Sequence, residues 1–169
     1  GGGAAATVEP LDEHLPHYSA MLASNLGAGV QACYRGPRLY DTARVRDAVK
    51  AHVDWYKAHR DILESPIVHT ASRRADGRDL DWVLHANPEL DEPALLVLHN
   101  PTDRPIKRPF EANLYFSGLE GRVLLAGGNG ADLPATRSLG EVTMGANGRA
   151  GLEVEVPAHG MAWLSFRRP

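Results

Sequence analysis

The chain has very little cysteine. Cys33 stands alone among 169 residues, so no intrachain disulfide can form and the redox compartment stays open. Long apolar runs are missing too. None approaches the roughly 20 residues that a membrane-spanning helix needs. Charge of neither sign dominates, with 18 Lys and Arg against 21 Asp and Glu. The net charge of −3 and a pI of about 6.2 give no electrostatic case for nucleic acid or an anionic membrane. Residues 1–6 lack the basic and apolar regions of a signal peptide, and there is no initiator Met. They read as a bland linker of a truncated or processed chain. There is no internal repeat.

Several chemical signatures are absent as well. Eight histidines invite a metal reading, with His14 and His17 three apart and His52 and His59 seven apart on one helix face. No His-Glu-x-x-His or carboxylate triad accompanies them, so they read as scattered surface or half-buried groups. No cofactor is expected. Cys33 precedes an arginine-containing loop but has no recognisable His or Asn partner, and reads as a small buried hydrophobe. Gly127, Gly128 and Gly130 belong to a glycine-rich loop at 127–132. It lacks the Lys-Ser/Thr pair that a phosphate loop requires.

What is present divides into two unlike halves. With 43% apolar residues a packed core is feasible. In the first half, Pro16 suits an opening helical turn, Tyr18, Met21, Leu22 and Leu26 recur at helical spacing, and Gly27 is a natural stop. Residues 30–34 read as a short buried strand, broken by Arg35-Gly36-Pro37. A second helix starts at Asp41 or Thr42, both good N-caps, and runs without a break to Leu63. Its expected buried stripe is Val45, Val49, Val53, Tyr56, Arg60 and Leu63, with Ala48, His52 and Ile62 beside it.

From residue 67 the apolar period falls from 3.6 to 2. Strand-length runs lie at 67–70, 80–86, 94–99, 106–110, 113–116, 123–125, 141–144, 151–156 and 161–166. Pro105 and Pro109 favour an edge for the fourth. Turn signals separate the runs, including Asp76-Gly77 and Asn100-Pro101. The fold class expected is mainly β: an antiparallel β-sandwich preceded by a helix–strand–helix unit. Its core candidates are Leu84, Leu96, Leu98, Leu152, Val154, Trp163 and Leu164 or Phe166. Such a unit cannot close a core alone, because a lone strand leaves both edges unpaired. The division expected is a linker at 1–9, the unit at 10–66 and the sandwich at 67–169.

Chemistry candidates are few. Asp79 and Asp81 would share one strand face as a carboxylate pair. They read equally as part of a charged turn, with Arg78 or Arg73 as partners. Asp41 reads as a helix cap before it reads as an acid. Trp55, Trp82 and Trp163 could stack on sugar rings, yet their apolar neighbours place them in a core.

A resemblance adds to this reading. It is carried by Leu22-Ala23-Ser24-Asn25-Leu26-Gly27-Ala28-Gly29-Val30-Gln31-Ala32-Cys33-Tyr34-Arg35-Gly36-Pro37. Val53-Asp54-Trp55-Tyr56-Lys57, Arg60-Asp61-Ile62-Leu63-Glu64-Ser65, Asp76-Gly77-Arg78-Asp79-Leu80-Asp81 and the closing run 156–166 continue it. In these the chain resembles the C-terminal portion of a large α-galactosidase-like glycoside hydrolase. That family has a (β/α)8 barrel followed by a C-terminal β-sandwich. The resemblance implies that residues 30–34 are the eighth barrel strand and 42–63 the eighth barrel helix. It places Tyr34, Arg35, Arg38 and Asp41 at the rim of the sugar site, since barrel sites form at the C-terminal ends of strands. The partners it implies are a carbohydrate and a missing N-terminal barrel, and the setting an extracellular or periplasmic one. The family's two catalytic carboxylates lie on earlier strands and match no residue here, so the chain alone is expected to be inactive. A non-catalytic carbohydrate-binding module and a purely structural β-sandwich remain as alternatives.

Overall fold

The computed structural model describes residues 8–31, 36–68, 75–130, 133 and 135–169. Two helices come first, α1 (Leu15–Gly27) and α2 (Ala43–Ala58), then a single turn α3 (Arg60–Leu63). Seven strands follow: β1 (Asp81–Ala86), β2 (Ala94–His99), β3 (Ile106–Asn113), β4 (Arg122–Asn129), β5 (Arg137–Thr143), β6 (Arg149–Val156) and β7 (Met161–Arg167). The mainly-β, antiparallel expectation is met. Among the described residues the strands form a five-stranded sheet, ordered β1-β2-β7-β4-β5, and a two-stranded sheet, β3-β6. Every pairing is antiparallel.

The two sheets pack face to face, and the helices cover the outer side of the larger one. The alternation along β2 shows why. Leu96 and Leu98 enter the apolar layer between the sheets, with Leu84, Phe110, Val154, Leu164 and Phe166. Leu95 and Val97 point the other way, into a second layer with Ala23, Leu26, Trp55, Ile62, Leu63, Met161 and Trp163. A strand apolar on both faces must be central, since either face left in water would cost the burial of two or three large side chains. A third cluster, Leu11, Tyr18, Leu22 and Val45, joins α1 to α2.

The structure corrects several expectations. Trp163 is buried, but under the helices and not between the sheets. Leu152 and Trp82 are only partly buried. Trp82 meets Phe110 edge to face, with ring centres 5.2 Å apart. The glycine-rich segment is not a loop throughout, because β4 runs on through Gly127 and Gly128. A Cβ at Gly127 would lie 2.4 Å from the carbonyl oxygen of Trp163, so the glycine permits the close approach of β7. The expected strand at 113–116 is a 3-10 turn at Tyr115–Ser117. Of the expected strand at 67–70, Ile67 makes one bridge to His85, while residues 69 and 70 lie outside the described residues. Arg73 also lies outside them. Asp79 forms an ion pair with Arg108 of β3 at 3.0 Å, a partner that the reading as a charged turn did not name.

The long helix differs as well. It breaks at His59, whose backbone (φ −115°, ψ 16°) leaves the helical region between α2 and α3. Val45 and Leu63 of the expected stripe are buried, but the face turned to the core runs through Val45, His52, Trp55, His59 and Ile62, with Ala48 half-buried, and leaves Val53 and Arg60 exposed. Val53 is exposed, and Val49 and Tyr56 are half-buried. The buried set follows alternating steps of three and four residues, the spacing of one helix face. Polar histidines occupy two of its positions, so a hydrophobicity pattern points to the neighbouring stripe.

Candidate functional site

The expected rim loop is tied down by its own neighbours. Thr42 caps α2, its hydroxyl accepting from the backbone N–H of Val45 at 3.2 Å. The same hydroxyl donates to the Asp12 carboxylate at 2.9 Å. Asp41 is therefore not the cap. Its Oδ2 accepts from the backbone N–H of Asp12 at 3.1 Å and so fastens the start of the chain to the loop. Burial alone would raise the Asp41 pKa. Backbone N–H groups at residues 12, 41 and 11, with the nearby Arg38 charge, outweigh that and hold it below the usual carboxylate range. Arg38 forms an ion pair with Glu9 at 3.0 Å, and Tyr18 donates its hydroxyl proton to the Leu39 carbonyl at 3.0 Å. Arg38 and Asp41 are thus brought together. Tyr34 and Arg35, with Cys33, lie outside the described residues. Val30, the start of the expected barrel strand, is exposed and forms no strand, and neither does Gln31.

A second arrangement was not legible in the sequence. Between α1 and the ends of β2 and β7 lies a cleft of about 460 Å³. His99, the last residue of β2, lines it beside Asp81 of β1 and Met161 of β7, its register partners on either side. Burial pushes the His99 pKa down to about 4, so its imidazole is neutral at pH 7. His52 of α2 also lines the cleft, and burial lowers its pKa. Its ring is held by the carbonyls of Ala48, at 2.9 Å, and Ser19.

Asn100 builds the cleft's far wall. Its amide nitrogen donates to the carbonyls of Arg104, Val156 and Pro157 at 2.8, 3.2 and 3.0 Å. Its oxygen accepts from the N–H and hydroxyl of Thr102 at 2.9 and 2.7 Å. Asn100 therefore staples two loops and has nothing left for a ligand. Only strand register brings residues 81, 99 and 161 together, so no local motif announces the cleft. The turn signal at Asn100-Pro101 was the nearest hint.

The third polar group is buried and structural in form. The His59 Nδ1 faces both oxygens of Glu92, at 3.0 and 2.9 Å, and Arg167 approaches Glu92 at 3.6 Å. The His59 ring lies against Trp163 and Trp55, at 4.6 and 5.6 Å between ring centres. It pins the helix break to the sheet. Among the described residues no group of three or more His, Cys, Asp or Glu is arranged to hold a metal ion. No helix of the described residues is long and apolar enough to cross a membrane.

No family model matches the chain, and no curated protein matches it in sequence. Solved structures do match in fold. One is a Bacillus halodurans C-125 protein provisionally assigned as an α-N-acetylgalactosaminidase, at TM-score 0.55 and 12% identity. The match covers 89% of this chain and 30% of that one. Another is an Anoxybacillus α-amylase of a new glycosyl hydrolase subclass, at TM-score 0.54 and 11% identity, covering 94% of this chain and 35% of that one. The chain thus spans about a third of the length of these two structures, and the likeness takes in nearly all of it.

Proposed function

We propose that this chain is the C-terminal part of a carbohydrate-active glycoside hydrolase. Residues 10–66 are the last elements of its α/β barrel, residues 67–169 form a C-terminal β-sandwich, and the catalytic carboxylates lie in the missing part. The observation that carries this is the pair of glycosyl hydrolase structures that share the fold of nearly the whole chain yet are about three times longer. A glycosidase needs two carboxyl groups about 5–10 Å apart across the scissile bond. No such pair can be named from this sequence, and Asp79 is engaged by Arg108.

In this reading Tyr34, Arg35, Arg38 and Asp41 sit at the rim of the sugar site. The Arg38–Glu9 and Asp41–Asp12 contacts support at least a bracing role for that loop. The test compares the isolated chain with the protein encoded together with its upstream reading frame, on a panel of aryl glycosides. The longer protein is expected to turn substrate over and the isolated chain is not. In the longer protein, Arg35→Ala or Arg38→Ala should lower kcat/KM tenfold or more with unchanged melting, about 1.4 kcal/mol of transition-state stabilisation. Turnover by the isolated chain, or an upstream frame without a barrel, would overturn the reading. Lost melting temperature with unchanged kinetics would remove the arginines from the site.

One observation favours the accessory-module alternative. Tyr115 and Phe116 are 68% and 58% exposed on a tight turn, their rings edge to face at 5.2 Å. Exposed aromatic pairs suit a sugar-stacking surface. Retention on insoluble polysaccharide that is lost in Tyr115→Ala/Phe116→Ala would support that alternative.

A further inference from the structure

Among the described residues, the cleft beside His99 is built without any that the rim loop supplies. Its polar groups are of two kinds. Those of Asn100 and His52 are consumed internally, as described above. Those of His99 and of the Ser19 and Ser24 hydroxyls are not. The His99 ring makes no hydrogen bond with a described residue, and neither hydroxyl makes a side-chain bond with one. A half-buried imidazole at a cavity wall that is not bonded to a described protein residue keeps its donor and its acceptor for a molecule that enters the cleft.

The chemistry these groups offer is specific. A neutral imidazole offers one N–H donor and one acceptor nitrogen, and each serine hydroxyl offers a donor and acceptor together. Among the described residues no lysine or arginine lines the cleft and histidines are its only basic side chains, so no permanent positive charge meets an anion there. Asp81 is its one carboxylate, too little for a metal ion. The rest of the wall is largely apolar, with Ala20, Ala23, Pro157 and Met161 presenting carbon surface. A matching ligand is uncharged, alternates donors and acceptors along its rim and has apolar C–H faces. That describes a pyranose ring, and a cavity of this volume accepts ligands of that size.

We propose that the cleft between α1 and the β2 and β7 ends binds a neutral saccharide, held by His99 with Ser19 and Ser24. None of the described rim-loop residues, 36–41, lines it. The inference stands on the cleft alone, so failure of the barrel reading would leave it in place, and its own failure would leave the barrel reading untouched.

The experiment is a titration of the uniformly ¹⁵N-labelled chain with D-glucose, D-galactose, D-xylose and N-acetyl-D-galactosamine. It is followed by backbone amide spectra and by long-range ¹H–¹⁵N spectra of the histidine rings, with sodium phosphate as the charged control. At least one sugar is expected to shift the His99 ring and the Ser24 and Gly160 amides saturably, and phosphate is not. His99→Phe keeps the ring volume and removes both nitrogens, and should weaken that binding tenfold or more. Ser24→Trp stands on an exposed position of α1 and fills the mouth without touching the core, so it should abolish binding even if His99→Phe proves unstable. Absence of a saturable shift with every sugar would overturn the proposal. So would shifts confined to Tyr115 and Phe116, tighter binding of phosphate than of sugar, or unchanged affinity in Ser24→Trp.

Discussion

Gly29 shows how much one position can constrain. Its φ is +70°, and a Cβ built there would fall 2.0 Å from the carbonyl oxygen of Leu63. The residue must be left-handed and must let the end of α3 pass against its backbone. Gly29→Ala is expected to lower stability by several kcal/mol, from the strained φ and a clash that no rotamer relieves. Thermal melting checks it, and a shift under 2 °C would refute the contact. His99 makes a pH prediction. Its pKa falls from 6.5 to about 4 in the folded chain, so the unfolded chain takes up the proton first as pH drops. Stability from this group is whole above pH 6.5, declines between 6.5 and about 4, and is flat below. The loss is at most about 3 kcal/mol. Asp81 and His159 line the same cleft, so the measurement is a difference between variant and parent. Urea unfolding of His99→Gln should show a shallower loss over that window than the parent chain.

At the scale of elements, α2 separates a visible pattern from the operative one. Val53 belonged to the expected stripe but is 37% exposed, whereas Trp55 is fully buried. Val53→Asp should change stability by less than about 1 kcal/mol. Trp55→Ala, opening a cavity against His59 and Trp163, should cost about 3–5 kcal/mol. Denaturant midpoints of the two variants decide it, and the reverse ranking would refute this packing. The strands from Leu80 to Ala86, Ala94 to His99 and Met161 onward were legible because their apolar residues alternate or run unbroken between turn signals. Of β4 only the start at 123–125 was legible, since Gly127 and Gly128 read as loop until the backbone of Trp163 is seen pressed against them. The break at His59 was hidden for a related reason. The residue at the break is held by Glu92, 33 residues away, and no local window contains both.

For the whole molecule, element types carried further than sites. Thr42 as a cap, the helix end at Gly27 and the mainly-β second half followed from local chemistry. The His99 cleft depended on which strands became neighbours, and Asp81, His99 and Met161 share no sequence window. Cutting the chain between its halves offers one further test, and it draws on the two-faced strands β2 and β7. Leu95, Val97, Met161 and Trp163 lie beneath the helices, so residues 67–169 expressed alone would present all four to water. A contiguous apolar surface of that kind drives self-association. The excised piece should therefore elute as oligomers or precipitate, where the 169-residue chain stays monodisperse at equal concentration. A monodisperse, cooperatively melting excised piece would refute the dependence. In practical terms the helices act as a fixed lid on a sticky surface, so a designer grafting this β region onto another protein would have to carry α1 and α2 along with it.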